Sequence, residues 1–142
     1  MTFISLKQAN AIIEASLAHG AELKLKPLSV VVLDAGGHMI AFQRQDGAST
    51  MRMQIASGKA GGALSLGISS RKIADMAAER PTFVTSLGPI SPHGIVPAAG
   101  GVIVIGEDGR TIGAVGITGD TSDNDEACAL AAIAAAGLTA QR

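Results

Sequence analysis

Two cations, one imidazole and one carboxylate in three separate segments of this sequence have the composition of a site for a small anion. Arg44 and Asp46 come at the end of a predicted hairpin, and an arginine binds a carboxylate through two parallel hydrogen bonds. Lys59 stands among small residues in the segment 57–61, where no bulky neighbour competes for an anion. His93 lies on a loop rich in proline, and loops commonly carry functional side chains. Together these residues predict a cationic pocket for a small anion.

The backbone of Gly100 and Gly101 is predicted to complete the pocket, because the proline-rich loop leads from His93 to this pair of bare amides. Two simpler explanations stay open. The glycines around Lys59 would also admit a neighbouring strand or helix, with the lysine itself in solvent. The arginine and the aspartate would then form an ordinary surface ion pair, which is weak.

Histidine is the residue type here that binds a metal most readily. His38 follows a Gly-Gly pair at the tip of the first predicted hairpin, and His93 lies on the later loop. If haem is bound, these two are the reasonable iron ligands. His19 is expected near the end of the first helix, where a cation interacts favourably with the helix dipole.

Composition and motifs exclude several function classes. The chain has 142 residues, 11 basic and 12 acidic side chains and a net charge of −1, which argues against nucleic-acid binding. It contains no GxxxxGK[ST], HExxH, GxSxG or CxxCH motif, and its single cysteine excludes an internal disulfide. Its apolar stretches are too short to span a membrane, and its start has no signal-peptide pattern, so we expect a cytoplasmic protein.

Helical and strand patterns follow one another in blocks. Ser5 and Gln8 form a capping-box pattern ahead of a first helix. Two apolar runs, 28–33 and 38–44, flank a Gly-Gly turn and predict a hairpin. Helices are expected over 49–66 and over 70–80, the second one capped by its first serine.

The second half of the chain begins with a predicted loop over 81–100, which is rich in proline and glycine. A second hairpin is expected over 101–118 around an Asp-Gly turn, followed by a last helix with a capping-box pattern at Ser122 to Asp125. The order predicts an α+β fold over residues 1–142: a single domain with a central antiparallel sheet flanked by helices.

The surface is expected to be poor in charge. The sequence has 25 alanines, 18 glycines and no tryptophan or tyrosine, and 16% of its residues are charged against about 25% in a typical domain. Such a surface leaves apolar patches exposed, and these patches predict a homo-oligomer.

Five stretches, in this order, resemble one family. They are VVVLDAGGHMIAFQRQDGAS (30–49), IASGKAGGAL (55–64), the pattern GI.P..GG (94–101), GRTIGAVGITG (109–119) and SDNDEACA (122–129). The sequence is similar over nearly its whole length to the GlcG/HbpS family, which also includes the C-terminal domain of PduO-type proteins.

The resemblance implies an oligomeric domain with a profilin-like or PAS-like central sheet. Some relatives bind haem, and others are encoded among genes for glycolate, diol or aromatic catabolism. The sequence shows no secretion-signal pattern and contains no tyrosine, and both departures argue against the function of the haem-sensing branch. The positions that carry over by motif, with an inferred ligand-binding role, are Arg44, Asp46, Gly47, Lys59, Gly100, Gly101 and Asp125.

Two functions therefore remain as hypotheses. The first is a non-enzymatic module that binds haem or another small anion. The second is an enzyme or accessory protein that acts on a small oxo or hydroxy acid in a catabolic pathway, with His93 or Lys59 as acid or base. A cationic pocket serves either function, because haem propionates and organic acids are both anions.

Overall fold

Helices and strands alternate in blocks along the chain. The computed structural model describes residues 3–141, with five helices, one short 3-10 turn (Gly88–Ile90) and five strands. The helices are α1 (Leu6–Glu22), α2 (Arg52–Leu66), α3 (Ser70–Glu79), α4 (Pro81–Leu87) and α5 (Ser122–Ala135). The strands are β1 (Ser29–Asp34), β2 (Met39–Arg44), β3 (Gly101–Ile105), β4 (Thr111–Thr118) and β5 (Thr139–Ala140).

The five strands form one sheet in the order β2-β1-β4-β3-β5, and every neighbouring pair is antiparallel. The predicted hairpins are β1–β2 and β3–β4, and the long return from β2 to β3 places β4 beside β1. The prediction of an α+β fold with a central antiparallel sheet flanked by helices is confirmed. No helix within residues 3–141 is both long and apolar enough to cross a membrane.

The main hydrophobic core lies between the sheet and the pair of helices α1 and α5. Ile12 and Ile13 of α1 are fully buried there against Ile133 of α5 and against alternate residues of the strands, such as Val30. The Ser5 capping box is present: Gln8 N–H donates to the Ser5 hydroxyl at 3.1 Å, and Ser5 N–H donates to the Gln8 amide oxygen at 2.9 Å. This cap fixes where α1 begins.

Helix α2 covers the opposite face of the sheet at very short range. A side chain on Gly116 of β4 would place its Cβ 2.1 Å from the Ala56 carbonyl oxygen, and one on Gly101 would come within 2.2 Å of the Lys59 carbonyl oxygen. The helix backbone therefore rests directly on the strands, with Ala56 and Ala60 fully buried between them. Only glycine permits this approach.

The side of α2 that faces away from the sheet packs against the irregular segment 93–96. Gly58 and Gly61 lie against Val96 and His93, where a Cβ would come within 2.6 and 2.7 Å of a side-chain atom, and Gly62 lies against Ile95, where a Cβ would be a tight 3.3 Å from its Cα. A neighbouring strand or helix was one explanation for these glycines, and it is wrong: the segment that they admit is irregular. The loop is consequently held against the helix by backbone contacts.

Three local predictions need correction. The predicted loop over 81–100 is helical in its first half, because Pro81 lies at the start of α4, where proline is favoured. Ser70 does not cap α3: its hydroxyl accepts from Gly101 N–H at 2.7 Å, across to the sheet. The last helix is capped by the hydroxyl of Thr121, which accepts from Asn124 N–H, and not by Ser122.

Candidate functional site

Lys59 is buried and its charge is fully engaged. Its side chain is 3% exposed, and Nζ donates to Oδ2 of Asp125 at 3.2 Å and to the Ile117 carbonyl oxygen at 3.0 Å. Gly100 makes this path possible, since a Cβ there would be 2.9 Å from Nζ. The lysine thus reaches from α2, past the end of the sheet, to the first turn of α5.

Asp125 completes this buried pair. It is 1% exposed, and its second carboxylate oxygen accepts the Asp120 N–H at 3.0 Å. Burial lowers the pKa of Lys59 and raises the pKa of Asp125, while their mutual attraction opposes both shifts. The expectation that the Lys59 ammonium faces a cavity is wrong, and so is the alternative that it lies in solvent.

His93 lies on the irregular segment that follows α4. Its Cβ would be 2.7 Å from a Cβ on Gly61, and its Nε2 would be 2.9 Å from a Cβ on Gly37. The imidazole therefore bridges the middle of α2 and the turn between β1 and β2, where Gly37 has a φ of +85°. The residue is exposed to solvent, so the ring is held in place by the bare backbone of two glycines.

An apolar groove of about 320 Å³ adjoins this loop. It runs between the end of α2 and the segment after α4, and Ile90 on its rim is 80% exposed. Its lining residues are Ser65, Leu66, Leu87, Ile90, Ser91, Pro92 and Ile95. A planar apolar ligand beside His93 would find hydrophobic contacts in this groove.

His38 lies at the same hairpin turn as the His93 ring. Its side chain is 80% exposed, with Nδ1 3.3 Å from Oδ1 of Asp34. Hydrogen bonds from the backbone N–H groups of His38 and Gly36 to the same carboxylate lower the pKa of Asp34. The two candidate iron ligands are therefore neighbours in space, on either side of Gly37.

Arg44 and Asp46 lie far from both histidines. Arg44 ends β2, and the five residue steps from Met39 to Arg44 span about 17 Å. The single pocket expected from Arg44, Lys59 and His93 is therefore not formed within one chain. The expected Arg44–Asp46 surface pair is also wrong, because neither residue forms an ion pair within 4.0 Å in the part of the chain that the structure describes.

The end of the sheet beside Arg44 holds residues that the sequence did not single out. Ser29 is paired across the strands with Arg44 on one side and with Thr118 on the other. The Thr118 hydroxyl accepts from the Arg52 guanidinium at 2.9 Å. Exposed Gly47, with a φ of +86°, turns the chain from β2 toward α2 nearby. The feature of the sequence that could have indicated this group is Arg52, a cation in the first turn of the predicted second helix.

A family model and a curated relative both match nearly the whole sequence. The family model described as "Haem degrading protein HbpS-like" matches residues 4–134. An uncharacterized 15.0 kDa protein from the dhaT-dhaS intergenic region of Citrobacter freundii is 32% identical over 130 residues, which cover 92% of this chain and 89% of the relative.

Two crystal structures have the same fold. The PduOC:heme complex aligns with a TM-score of 0.86 at 23% identity, over 99% of this chain and all of the other. A double mutant of HbpS from Streptomyces reticuli aligns with a TM-score of 0.80 at 27% identity, over 94% of this chain and 87% of the other. Because the family model spans nearly the whole sequence, we conclude that this chain belongs to the HbpS-like family.

Proposed function

We propose that this protein is a haem-binding module and that His93 ligates the iron. The observation that carries the proposal is the exposed His93 imidazole on the same segment as Pro92 and Ile95, two residues that line an apolar groove of about 320 Å³. Imidazole nitrogen is a common protein ligand of haem iron. The family description and the haem complex of the related fold support haem binding, while the choice of His93 rests on its position alone.

The residues present fit the chemical demands of haem. The macrocycle needs an apolar surface, which the side chains of Leu66, Leu87 and Ile95 offer. The iron needs a nitrogen donor, which His93 offers, and His38 provides a second imidazole at the same turn. When bound, haem supplies an iron centre whose redox chemistry belongs to the cofactor.

The protein's own contribution is to hold the imidazole and to exclude water from one side of the macrocycle. Gly61 and Gly37 fix the His93 ring between helix and hairpin, so the ring is positioned before any ligand arrives. A ligand group that is pre-positioned in this way loses little conformational entropy on binding. We propose binding without assigning a catalytic step.

Haemin titration of the purified chain tests this function. We expect saturation at a fixed stoichiometry with a sharpened Soret band. His93→Ala should shift that band and weaken binding, because it removes the iron ligand. His38→Ala should have a smaller effect, because its ring is 80% exposed and lies outside the groove.

His19→Ala is the matched control, since this histidine lies in the last turn of α1, away from the groove. Its spectrum and affinity should equal those of the unmodified chain. Uptake that never saturates, or a spectrum that is indifferent to substitution of both His93 and His38, would contradict the proposal. Circular dichroism of each variant separates loss of binding from loss of folding.

A further inference from the structure

We propose that a small carboxylate binds at the amino end of α2, against Arg44 and Arg52. This end of the sheet lies about 17 Å along β2 from the turn that His93 contacts. The proposal therefore does not rest on haem binding. It is carried by one unpartnered buried hydroxyl, that of Ser29, and by two arginines that have no carboxylate partner in the described part of the chain.

The first part of this group is a row of three residues across the strands. Ser29 of β1 is directly opposite Arg44 of β2 and Thr118 of β4. Side chains of directly paired residues point to the same face of a sheet. Residues two positions along these strands, Val31 and Phe42, pack on the α2 side, so Ser29 and Thr118 face the start of α2. Arg44 shares their register row at the exposed edge of the sheet, where it also lines a cavity with Leu17 and Gly20 of α1.

The second part is an unpartnered buried hydroxyl. Ser29 is fully buried, and its Oγ has no hydrogen-bond partner. The neighbouring Thr118 hydroxyl accepts from Arg52 at 2.9 Å, which leaves its own O–H hydrogen to be donated. Buried polar groups in native proteins are almost always hydrogen-bonded, so an unpaired hydroxyl in this row indicates a missing acceptor.

The third part is uncompensated positive charge. Within residues 3–141 the arginine ion pairs belong to Arg71 and Arg110, while Arg44 and Arg52 have none within 4.0 Å. The Arg52 Nε donates to the Ser49 hydroxyl at 3.0 Å, which is a neutral acceptor. No side chain caps the start of α2, so the positive end of the helix dipole adds to the two guanidinium charges.

An oxyanion is the ligand that satisfies this group. A carboxylate has only acceptor oxygens, and its planar shape matches the paired N–H groups of a guanidinium. Arg52 is half-buried and lies over Thr118. A turn of its side chain toward the ligand would open the Thr118 and Ser29 hydroxyls to the same anion. Phosphate shares the oxyanion chemistry but is tetrahedral, so the experiment includes both.

Isothermal titration calorimetry of the haem-free chain with glycolate, oxalate and inorganic phosphate tests the proposal. We expect a carboxylate to bind at low ionic strength, and Arg44→Gln and Arg52→Gln each to weaken it by about tenfold or more. Arg52→Lys should restore part of the affinity, because it returns the charge without the bidentate geometry. Arg110→Gln is the control, since it removes one exposed arginine at the β3–β4 turn.

Several results would overturn the proposal. These are the absence of any saturable carboxylate heat, equal affinity in the unmodified chain and the Arg44 and Arg52 variants, or phosphate binding tighter than every carboxylate. The exposed Arg44 side chain gives a decisive variant even if Arg52→Gln does not fold. His93→Ala should leave carboxylate affinity unchanged, so failure of haem binding and failure of this site are distinguishable.

Discussion

Removal of one partner from the buried Lys59–Asp125 pair should destabilise the protein strongly. In Lys59→Met the Asp125 carboxylate stays 1% exposed and keeps a single donor, the Asp120 N–H at 3.0 Å. Breaking a buried ion pair in this way costs about 3–5 kcal/mol. For a chain of this size the melting temperature should fall by roughly 6–20 °C.

The pH dependence of this loss is the sharper part of the prediction. In Lys59→Met, burial without the ammonium should raise the pKa of Asp125 further above its ordinary value of 3.8. The folded state then holds a proton that the unfolded state has released, so stability falls as pH rises through this window. The destabilisation should be smaller at about pH 5 than at about pH 8.

Asp125→Asn should show the opposite sign. Without the carboxylate, burial and the nearby Arg52 charge lower the pKa of Lys59 further below its ordinary value of 10.5. The unfolded state then binds more protons than the folded state, so stability rises as pH rises toward that value. Its destabilisation should shrink between about pH 7 and about pH 9.5.

Urea unfolding followed by circular dichroism, at one protein concentration, measures both effects. Arg71→Met is the matched control, because Arg71 forms exposed ion pairs with Asp123 and Glu126. Exposed pairs contribute less than about 1 kcal/mol, so this variant should stay close to the unmodified chain. Losses below about 1 kcal/mol in both pair variants, or pH trends of the same sign, would refute the reasoning.

Three further predictions follow from buried or exposed groups. Ser70→Ala removes a buried hydroxyl that accepts from Gly101 N–H, so urea unfolding should give a free energy of unfolding lower by about 1–3 kcal/mol. Ser29→Ala removes an unpartnered hydroxyl, so the same measurement should give an unchanged or higher free energy of unfolding. Burial raises the pKa of Cys128 to about 11, so Ellman's reagent should label it only in denaturant; fast labelling of the folded chain would contradict this. Light scattering of the native protein should give a mass above the 14.2 kDa of one chain. If the exposed side of α5 contacts another copy, Ala135→Glu should reduce the measured mass. A monomeric mass for the native protein would contradict the predicted homo-oligomer.

The sequence predicted the fold class because turns and caps are local signals. The Gly-Gly turn before His38 and the Asp-Gly turn of the second hairpin both specify antiparallel pairing of adjacent strands. The pairings of β1 with β4 and of β3 with β5 are set by long-range packing, which no local signal encodes. The two-residue strand β5 is too short to give a periodic pattern at all.

The candidate site was harder to predict because small residues have two opposite consequences. The glycines around Lys59 suggested open space for a ligand, but each one admits a backbone or a side chain that closes the space. The partner of Lys59 is Asp125, 66 positions away, so spacing gave no sign of the pair. The unpartnered Ser29 hydroxyl could not be predicted either, because Ser29, Arg44 and Thr118 become neighbours only when β1, β2 and β4 pair in the sheet.

Helix α2 connects the two proposed binding regions, and its central residues apart from Lys59 are small. Its start carries Arg52, its centre holds the Lys59 pair, and Gly61 one half-turn later supports the His93 ring. The helix backbone lies directly on the strands at Ala56 and Lys59, between the two regions. An anion that draws Arg52 outward would therefore act on the same rigid element that positions His93. Any influence of carboxylate on haem affinity should consequently disappear in Arg52→Gln, since linkage between two sites requires both to act on a shared element.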